Sequence, residues 1–297
     1  MKKILIVISL GTILISSSNQ NSESIDQQSE SNWEFLLDEN LSKWDIFMGV
    51  PHYSVELEGY EKGDGMNGTP IGLNRDPLNV FSVKIVDEDL VLQISGQIYA
   101  GLSTKTEFEN YHFSAEFKWG NKQWEPRLND KKDSGILYHC QEPYGQFWNV
   151  WMRAPEMQVQ EGDCGDFHPL AGVAMDIRAK EVIENGESLW VYDPKGEVRT
   201  FKSGGQGRCK KSINYENSID QWNLLELVCL GDKSYHIVNG KVVMVLENSV
   251  QFNADGTRIK LTKGKIQLQS EAAEVFYKNI KITNIDFLPE AIALQVK

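Results

Sequence analysis

Residues 111–119 (YHFSAEFKW) alternate with a period of two, Tyr111, Phe113, Ala115, Phe117 and Trp119 on one side and His112, Ser114, Glu116 and Lys118 on the other. Successive side chains of a strand point to opposite faces, so this pattern predicts a strand with one face buried. Shorter runs of the same character occupy residues 81–86, 90–94, 135–140, 222–230, 265–269 and 275–283. Residues 234–238 and 241–246 flank Asn239-Gly240, a pair that tolerates the positive φ of a tight hairpin turn. No segment keeps a helical period over three turns. Many short strands separated by Gly, Asn and Asp predict an antiparallel sandwich. Two glycine-rich stretches, 59–79 and 196–212, read as surface loops. The second has a mobile lid as its functional reading and a solvated excursion as its preferred one.

The N-terminus follows other rules. Lys2 and Lys3 precede the apolar run 4–15 and then Ser16-Ser17-Ser18, the grammar of a signal peptide over residues 1–18. An apolar run of about 12 residues falls short of the ~20 that span a bilayer. Export is therefore expected, to the periplasm or the outside of a bacterium, with no transmembrane span in the mature chain. Residues 19–31 are polar and form a leader, and residues 32–290 form a single β-sandwich domain. The chain of 297 residues can bury a full core without metals or crosslinks. Its net charge of −12, from 42 acidic against 30 basic residues, excludes a nucleic-acid partner. Four cysteines, Cys140, Cys164, Cys209 and Cys229, leave disulfides and buried free thiols equally open.

Candidate chemistry concentrates in residues 154–167 (APEMQVQEGDCGDF). As a strand, this stretch sets Glu156, Gln158 and Gln160 on one face and Met157 and Val159 on the other. The aromatics Phe147, Trp148 and Trp151 come just before it. Asp163, Asp166 and His168, with Glu156 and His139 within reach, could hold a divalent cation, the one cofactor the sequence admits. Turn formation by Asp beside Gly is the preferred reading of Asp163 and Asp166. His52, His112 and His236 read as surface or hairpin residues.

Six segments carry a family resemblance: 35–44 (FLLDENLSKW), 102–113 (LSTKTEFENYHF), 133–138 (DSGILY), 156–163 (EMQVQEGD), 222–240 and 264–282 (GKIQLQSEAAEVFYKNIKI). In this order the chain resembles the 3-keto-disaccharide hydrolase domain family, over about residues 32–286. The resemblance implies an all-β, concanavalin A-like jelly-roll sandwich of two antiparallel sheets. It also implies a sugar site on the concave sheet and action on glycosides whose carbon 3 is oxidised to a ketone. Glu156 and Gln158 fall on the family's Glu-x-Gln strand, Asp133 on its Asn/Asp-Ser-Gly turn, and Lys105 on the lysine of Leu-x-Thr-Lys. Two positions depart from the family. His139 stands where many members have Arg, and Glu271 follows Leu-Gln-Ser where many have His after Leu-Gln. Both are expected to face the site.

A ketone at carbon 3 acidifies the hydrogen on carbon 2, so a base can form an enolate that expels the group on carbon 1, and water then adds back. Such a reaction needs a base, donors for the enolate oxygen and an acid for the leaving group. Glu156 or His139 is the candidate base, Gln158 or Lys105 the oxygen ligand, and Glu161 or Glu271 the acid. The expected catalytic set is thus Glu156, Gln158, His139 and Glu161. The expected substrate-binding set is Lys105, Asp133, Tyr138, Trp148, Trp151, Arg153, Gln269 and Glu271, with Trp148, Trp151 and Tyr138 as flat surfaces for the sugar. The partner is a small saccharide or glycoside.

Three alternatives stand beside this one: a lectin-like module that binds glycans without cleaving them, an inactive relative that scaffolds sugar uptake, and a conventional retaining glycosidase. Glu156-x-Gln158-x-x-Glu161 is similar to the Glu-x-Asp-x-x-Glu strand of laminarinase-like enzymes. Retention needs carboxylates ~5 Å apart. Five strand steps cover about 16 Å and put Glu161 on the opposite face, so a β-bulge at Gly162 is required. The middle Asp is also replaced by Gln, which makes this the weaker enzyme reading.

Overall fold

The computed structural model describes residues 33–296; the expected signal peptide (1–18) and polar leader (19–31) lie outside the described residues. Within the unit that begins at Glu34, two antiparallel sheets pack face to face. The larger sheet runs Glu187–Tyr192, Val173–Glu184, Lys241–Phe252, Lys233–Val238, Asn223–Leu230, Tyr111–Gln123, Ala273–Asn284, Asp89–Ile94 and Phe81–Val86. The smaller runs Phe167–Pro169, Pro155–Gln160, Asp133–Cys140, Lys263–Ser270, Ala100–Thr104, Trp44–Met48 and Gly72–Leu73. The one helix among the described residues is Glu290–Ala293. This is the antiparallel sandwich that the alternation predicts and the all-β jelly roll that the family resemblance implies.

The alternation works because each inward residue finds a partner on the facing sheet. Phe113, Phe117, Leu225 and Val275 of the larger sheet meet Ile136, Met157, Leu268 and Leu102 of the smaller one in a common core. All eight are fully buried, and each such side chain contributes about 1.5–3 kcal/mol. Asn239 and Gly240 turn the predicted hairpin with φ of 49° and 73°. Residues 196–212 are not one loop, because Glu197–Lys202 pairs along Val173–Glu184 and extends the larger sheet. His236 is not a surface residue either. It is buried, with Nδ1 2.9 Å from the Gly165 carbonyl and Nε2 3.2 Å from the Tyr138 hydroxyl. All four cysteines are buried free thiols, and burial raises their pKa values, which keeps them unreactive.

A second apolar cluster lies on the outer face of the smaller sheet. There Leu137 and Cys140 meet Val150, Trp151, Met152 and Ala154, so the segment after Cys140 folds back over part of that face. The remainder of the same face is polar.

Candidate functional site

Register decides which polar side chains share that face. Met157 and Val159 enter the core, so Glu156 and Gln158 point the other way. Glu156 stands opposite His168 on one neighbouring strand and Leu137 on the other. Gln158 stands opposite Gly135, and Gln160 opposite Asp133. On the next strand Gln267 pairs with Leu137, Gln269 follows two positions on, and Glu271 bridges Asp133. The result is a patch of carboxyl, amide and imidazole groups beside the aromatic cluster.

The patch is possible because Gly135 has no side chain. A Cβ at Gly135 would stand 2.2 Å from Glu156 Oε1 and 2.3 Å from Gln269 Oε1. These groups lie flat on the strand between them. Gly101 serves Gln267 in the same way, its absent Cβ leaving a place 2.3 Å from Gln267 Nε2. Gln267 donates to Ser103 Oγ at 2.8 Å and accepts from the Met152 amide at 3.2 Å.

Arg127 clamps two of the acids, with Nη2 2.6 Å from Asp133 Oδ2 and Nη1 2.5 Å from Glu271 Oε1. Gln160 Nε2 donates to the same Asp133 oxygen at 2.6 Å. Burial pushes Asp133 up to about 6, against the pull of Arg127 and Gln160. Burial, reinforced by the charge of Asp133, holds Glu271 and Glu156 well above the usual carboxylate range. Burial moves His168 the other way, down to about 4, and the nearby charge of Arg208 adds to the effect. Burial thus favours the neutral form of both the carboxyl and the imidazole, which face each other across one strand pair.

Arg208 itself binds Asp166 through Nε at 2.9 Å and Nη2 at 2.6 Å, and Asp163 at 3.1 Å. Lys131 also holds Asp163, at 2.7 Å. These two acids are therefore engaged by cations of the protein. Among the described residues no group of three or more His, Cys, Asp or Glu is arranged to hold a metal ion.

Of the expected site residues, Glu156, Gln158, Asp133, Gln269 and Glu271 come together on this face. The others do not. His139 has φ 50°, and the pairing with Lys263–Ser270 shifts register there, so Tyr138 and His139 both turn inward. The His139 ring lies 5.7 Å from Tyr111 and 5.4 Å from Tyr138, between the sheets, and burial lowers its pKa to about 4. Tyr138 is likewise a core residue, its hydroxyl 2.9 Å from Ser234 Oγ. Lys105 follows the far end of Ala100–Thr104 and donates to the Ser42 carbonyl at 2.8 Å. Glu161 falls just past the end of Pro155–Gln160, its amide bound to the Lys132 carbonyl at 3.0 Å. Its side chain lines a separate depression with Trp119, Asn214 and Glu216, so the bulge that a Glu156–Glu161 pair requires is not formed.

Arg153 ties the covering segment down, donating to the Ala171 carbonyl at 2.7 Å and to Gln251 at 3.3 Å. Trp151 is a filler at 1 % exposure, its indole N–H bound to the Ala100 carbonyl at 3.2 Å. Trp148, at 43 % exposure and stacked on Phe147 at 4.9 Å, presents an open ring.

Sequence reasoning missed Arg127, which sits in the irregular stretch WEPRLNDKKD with no pattern to mark it. It also weighed His168 only as a metal ligand. The signal that existed was the alternation of Phe167–Pro169 against Pro155–Gln160, which becomes usable once their register is known.

The chain matches the 3-keto-alpha-glucoside-1,2-lyase-like domain family over residues 32–283. It belongs to that family. A 3-keto-alpha-glucoside-1,2-lyase-like domain of this kind is carbohydrate-active. No curated protein matches the chain. Among solved structures it is similar to a provisionally assigned glycosyl hydrolase from Parabacteroides distasonis ATCC 8503, at 15 % identity and TM-score 0.46, covering 88 % of this chain and 97 % of that one. It is similar to LamAcat from Zobellia galactanivorans, at 10 % identity and TM-score 0.40, covering 82 % and 91 %. It is also similar to the carbohydrate-binding module CBM66 from Bacillus subtilis, at 10 % identity and TM-score 0.40, covering 69 % and 92 %.

Proposed function

We propose that this protein cleaves the glycosidic bond of glycosides whose carbon 3 is a ketone, through the acidic hydrogen on carbon 2. The observation that carries the reading is the cross-strand pair Glu156 and His168, a carboxyl and an imidazole whose charged forms burial disfavours, set among amides that can bind oxygen. Removal of the carbon-2 proton gives an enolate, and Gln158 stands on the same face as Glu156 to bind its oxygen atoms. Expulsion of the carbon-1 substituent gives an unsaturated keto sugar, to which water adds for net hydrolysis. The mature protein works outside the cytoplasm, a reading supported by the charged and apolar segments that begin the chain.

The retaining-glycosidase reading lacks its second carboxylate, since Glu161 lines another depression. The test is product analysis by NMR in heavy water, with a 3-keto-glucoside and the unoxidised glucoside in parallel. Cleavage of the keto compound alone, with deuterium entering at carbon 2 and loss of activity in Glu156→Gln, is the expected result. Cleavage of the parent glucoside alone overturns the reading, and binding of both without turnover makes the protein a lectin.

A further inference from the structure

We propose that Glu156 is the acid of this site: its carboxyl keeps a proton in the resting protein, donates it to Gln269 Oε1, and passes it to the oxygen that leaves carbon 1. The final transfer rests on the function proposed above; the resting proton does not.

Glu156 Oε1 and Gln269 Oε1 both lie within 2.3 Å of one point, the place of the missing Gly135 Cβ. The Gln269 side chain offers the carboxyl a hydrogen bond that favours its ionised form, while its oxygen is left for a proton donor to satisfy. Gln269 is 1 % exposed, and its Oε1 has no hydrogen-bond partner among protein groups. An amide oxygen can only accept, and a neutral carboxyl has one O–H to give. Leaving the acceptor unpaired in a buried place is costly, so a protonated Glu156 satisfies what an ionised one aggravates.

Among the surrounding charges Asp133 weighs most on Glu156, and it points the same way. Arg127 is engaged by Asp133 and Glu271, and Arg208 by Asp163 and Asp166. Both guanidinium charges favour an ionised Glu156 from a distance, but each is bonded elsewhere, and Glu156 forms no salt bridge among the described residues. On its own strand, the Gln158 side-chain oxygen accepts from the Val159 amide at 3.0 Å. On the next strand His168 is neutral, because burial opposes its charge. An ionised Glu156 would be a buried carboxylate facing Asp133 and Glu271 without a cation of its own.

In the reaction, His168 takes the carbon-2 proton and the C–H electron pair becomes the carbon 2–carbon 3 double bond of the enolate. On collapse, the carbon-3 oxygen re-forms its carbonyl and the pair moves to the carbon 1–carbon 2 bond. The carbon 1–oxygen bond breaks, and the leaving oxygen takes that bond's electrons together with the Glu156 proton. The products are an alcohol and an unsaturated keto sugar. Glu156 is left as carboxylate and His168 as cation, and solvent returns the proton.

The experiment follows the side-chain carboxyl carbons by NMR in the full chain labelled with carbon-13 at glutamate, titrated without substrate. The Glu156 signal is assigned by its absence in Glu156→Gln, or by Glu156→Asp if the first variant does not fold. Expected is a Glu156 carboxyl still protonated at pH 7. In Gln269→Met, which neither accepts nor donates in kind, the midpoint falls by about one unit, roughly ten-fold in ionisation constant, because the protonated form loses its acceptor. A Glu156 already ionised at pH 7 overturns the proposal with no further variant needed. A midpoint that rises in Gln269→Met overturns it as well, since the amide then serves the carboxylate as an N–H donor. Neither readout depends on turnover, so failure of the keto-glycoside reading is seen separately, as a protonated Glu156 in a protein that does not cleave the substrate.

Discussion

Replacing Gly135 by Ala adds one carbon at the most crowded point of the polar face. That carbon would stand 2.2 Å from Glu156 Oε1, 2.3 Å from Gln269 Oε1 and 2.9 Å from the Gln269 amide carbon. Ordinary contact begins about 1 Å further out, so the carboxyl and the amide must both retreat by roughly that distance, and they meet the same obstacle from two sides. Overpacking of this kind costs about 1–3 kcal/mol of stability. A displacement of ~1 Å at reacting groups costs on the order of 100-fold in rate. The assay compares urea unfolding with turnover of a 3-keto-glucoside for the parent, Gly135→Ala and Gly207→Ala. Gly207 has nothing within 4 Å of its added Cβ, so its variant is expected to match the parent in both measurements. A folded Gly135→Ala protein that keeps turnover within about three-fold of the parent would refute the placement of Glu156 and Gln269 as the working pair.

Arg127→Met leaves Asp133 and Glu271 without their shared cation, and a loss of about 3 kcal/mol is expected in chemical unfolding, with Arg127→Lys in between. An unchanged midpoint would mean that the clamp does not form. Burial holds His139 and His236 at about 4 in the folded chain, against ~6.5 when unfolded. The unfolded chain then binds more protons, so this stability is complete above about pH 6.5 and is lost as pH falls towards 4, by up to about 3 kcal/mol per histidine. Urea titrations at stepped pH should show that slope, and His139→Asn should make it shallower. Glu156 and Glu271 act oppositely. Their raised folded values give stability that is present below about pH 4.3 and declines as pH rises through the folded values, a decline that Glu156→Gln should reduce. Glu161→Gln, remote from Glu156, should leave turnover of the keto-glucoside within about two-fold of the parent, and a collapse of activity there would restore the retaining pair.

Most of the strands were readable because a half-buried strand shows its environment in every second residue. Tyr111 to Trp119 do so without interruption, and all five inward residues are buried. Val173–Glu184 and Glu187–Tyr192 were not readable in the same way. Their outer portions are exposed on both faces and carry no alternation for the core to impose. The resemblance pointed to Glu156, Gln158 and Glu271, and these share one sheet face with Gln269 because their strands alternate from residues known to be inward. It failed at His139, where a single residue with positive φ turns two consecutive side chains to the same side. No periodicity rule anticipates that step.

The sequence by itself determined the fold class, the hairpin at Asn239-Gly240 and which face of Pro155–Gln160 is polar, since each of these is set by neighbours along the chain. Only the tertiary structure decided that Glu156 meets His168, that Arg127 holds Asp133 and Glu271 together, and that Gly135 is the floor on which Glu156 and Gln269 touch. Those contacts join residues that are between 6 and 144 positions apart, and their geometry follows from strand register and a bulge. Desolvation then sets the proton on each group, and desolvation is a property of the packed molecule that no local stretch of chain possesses.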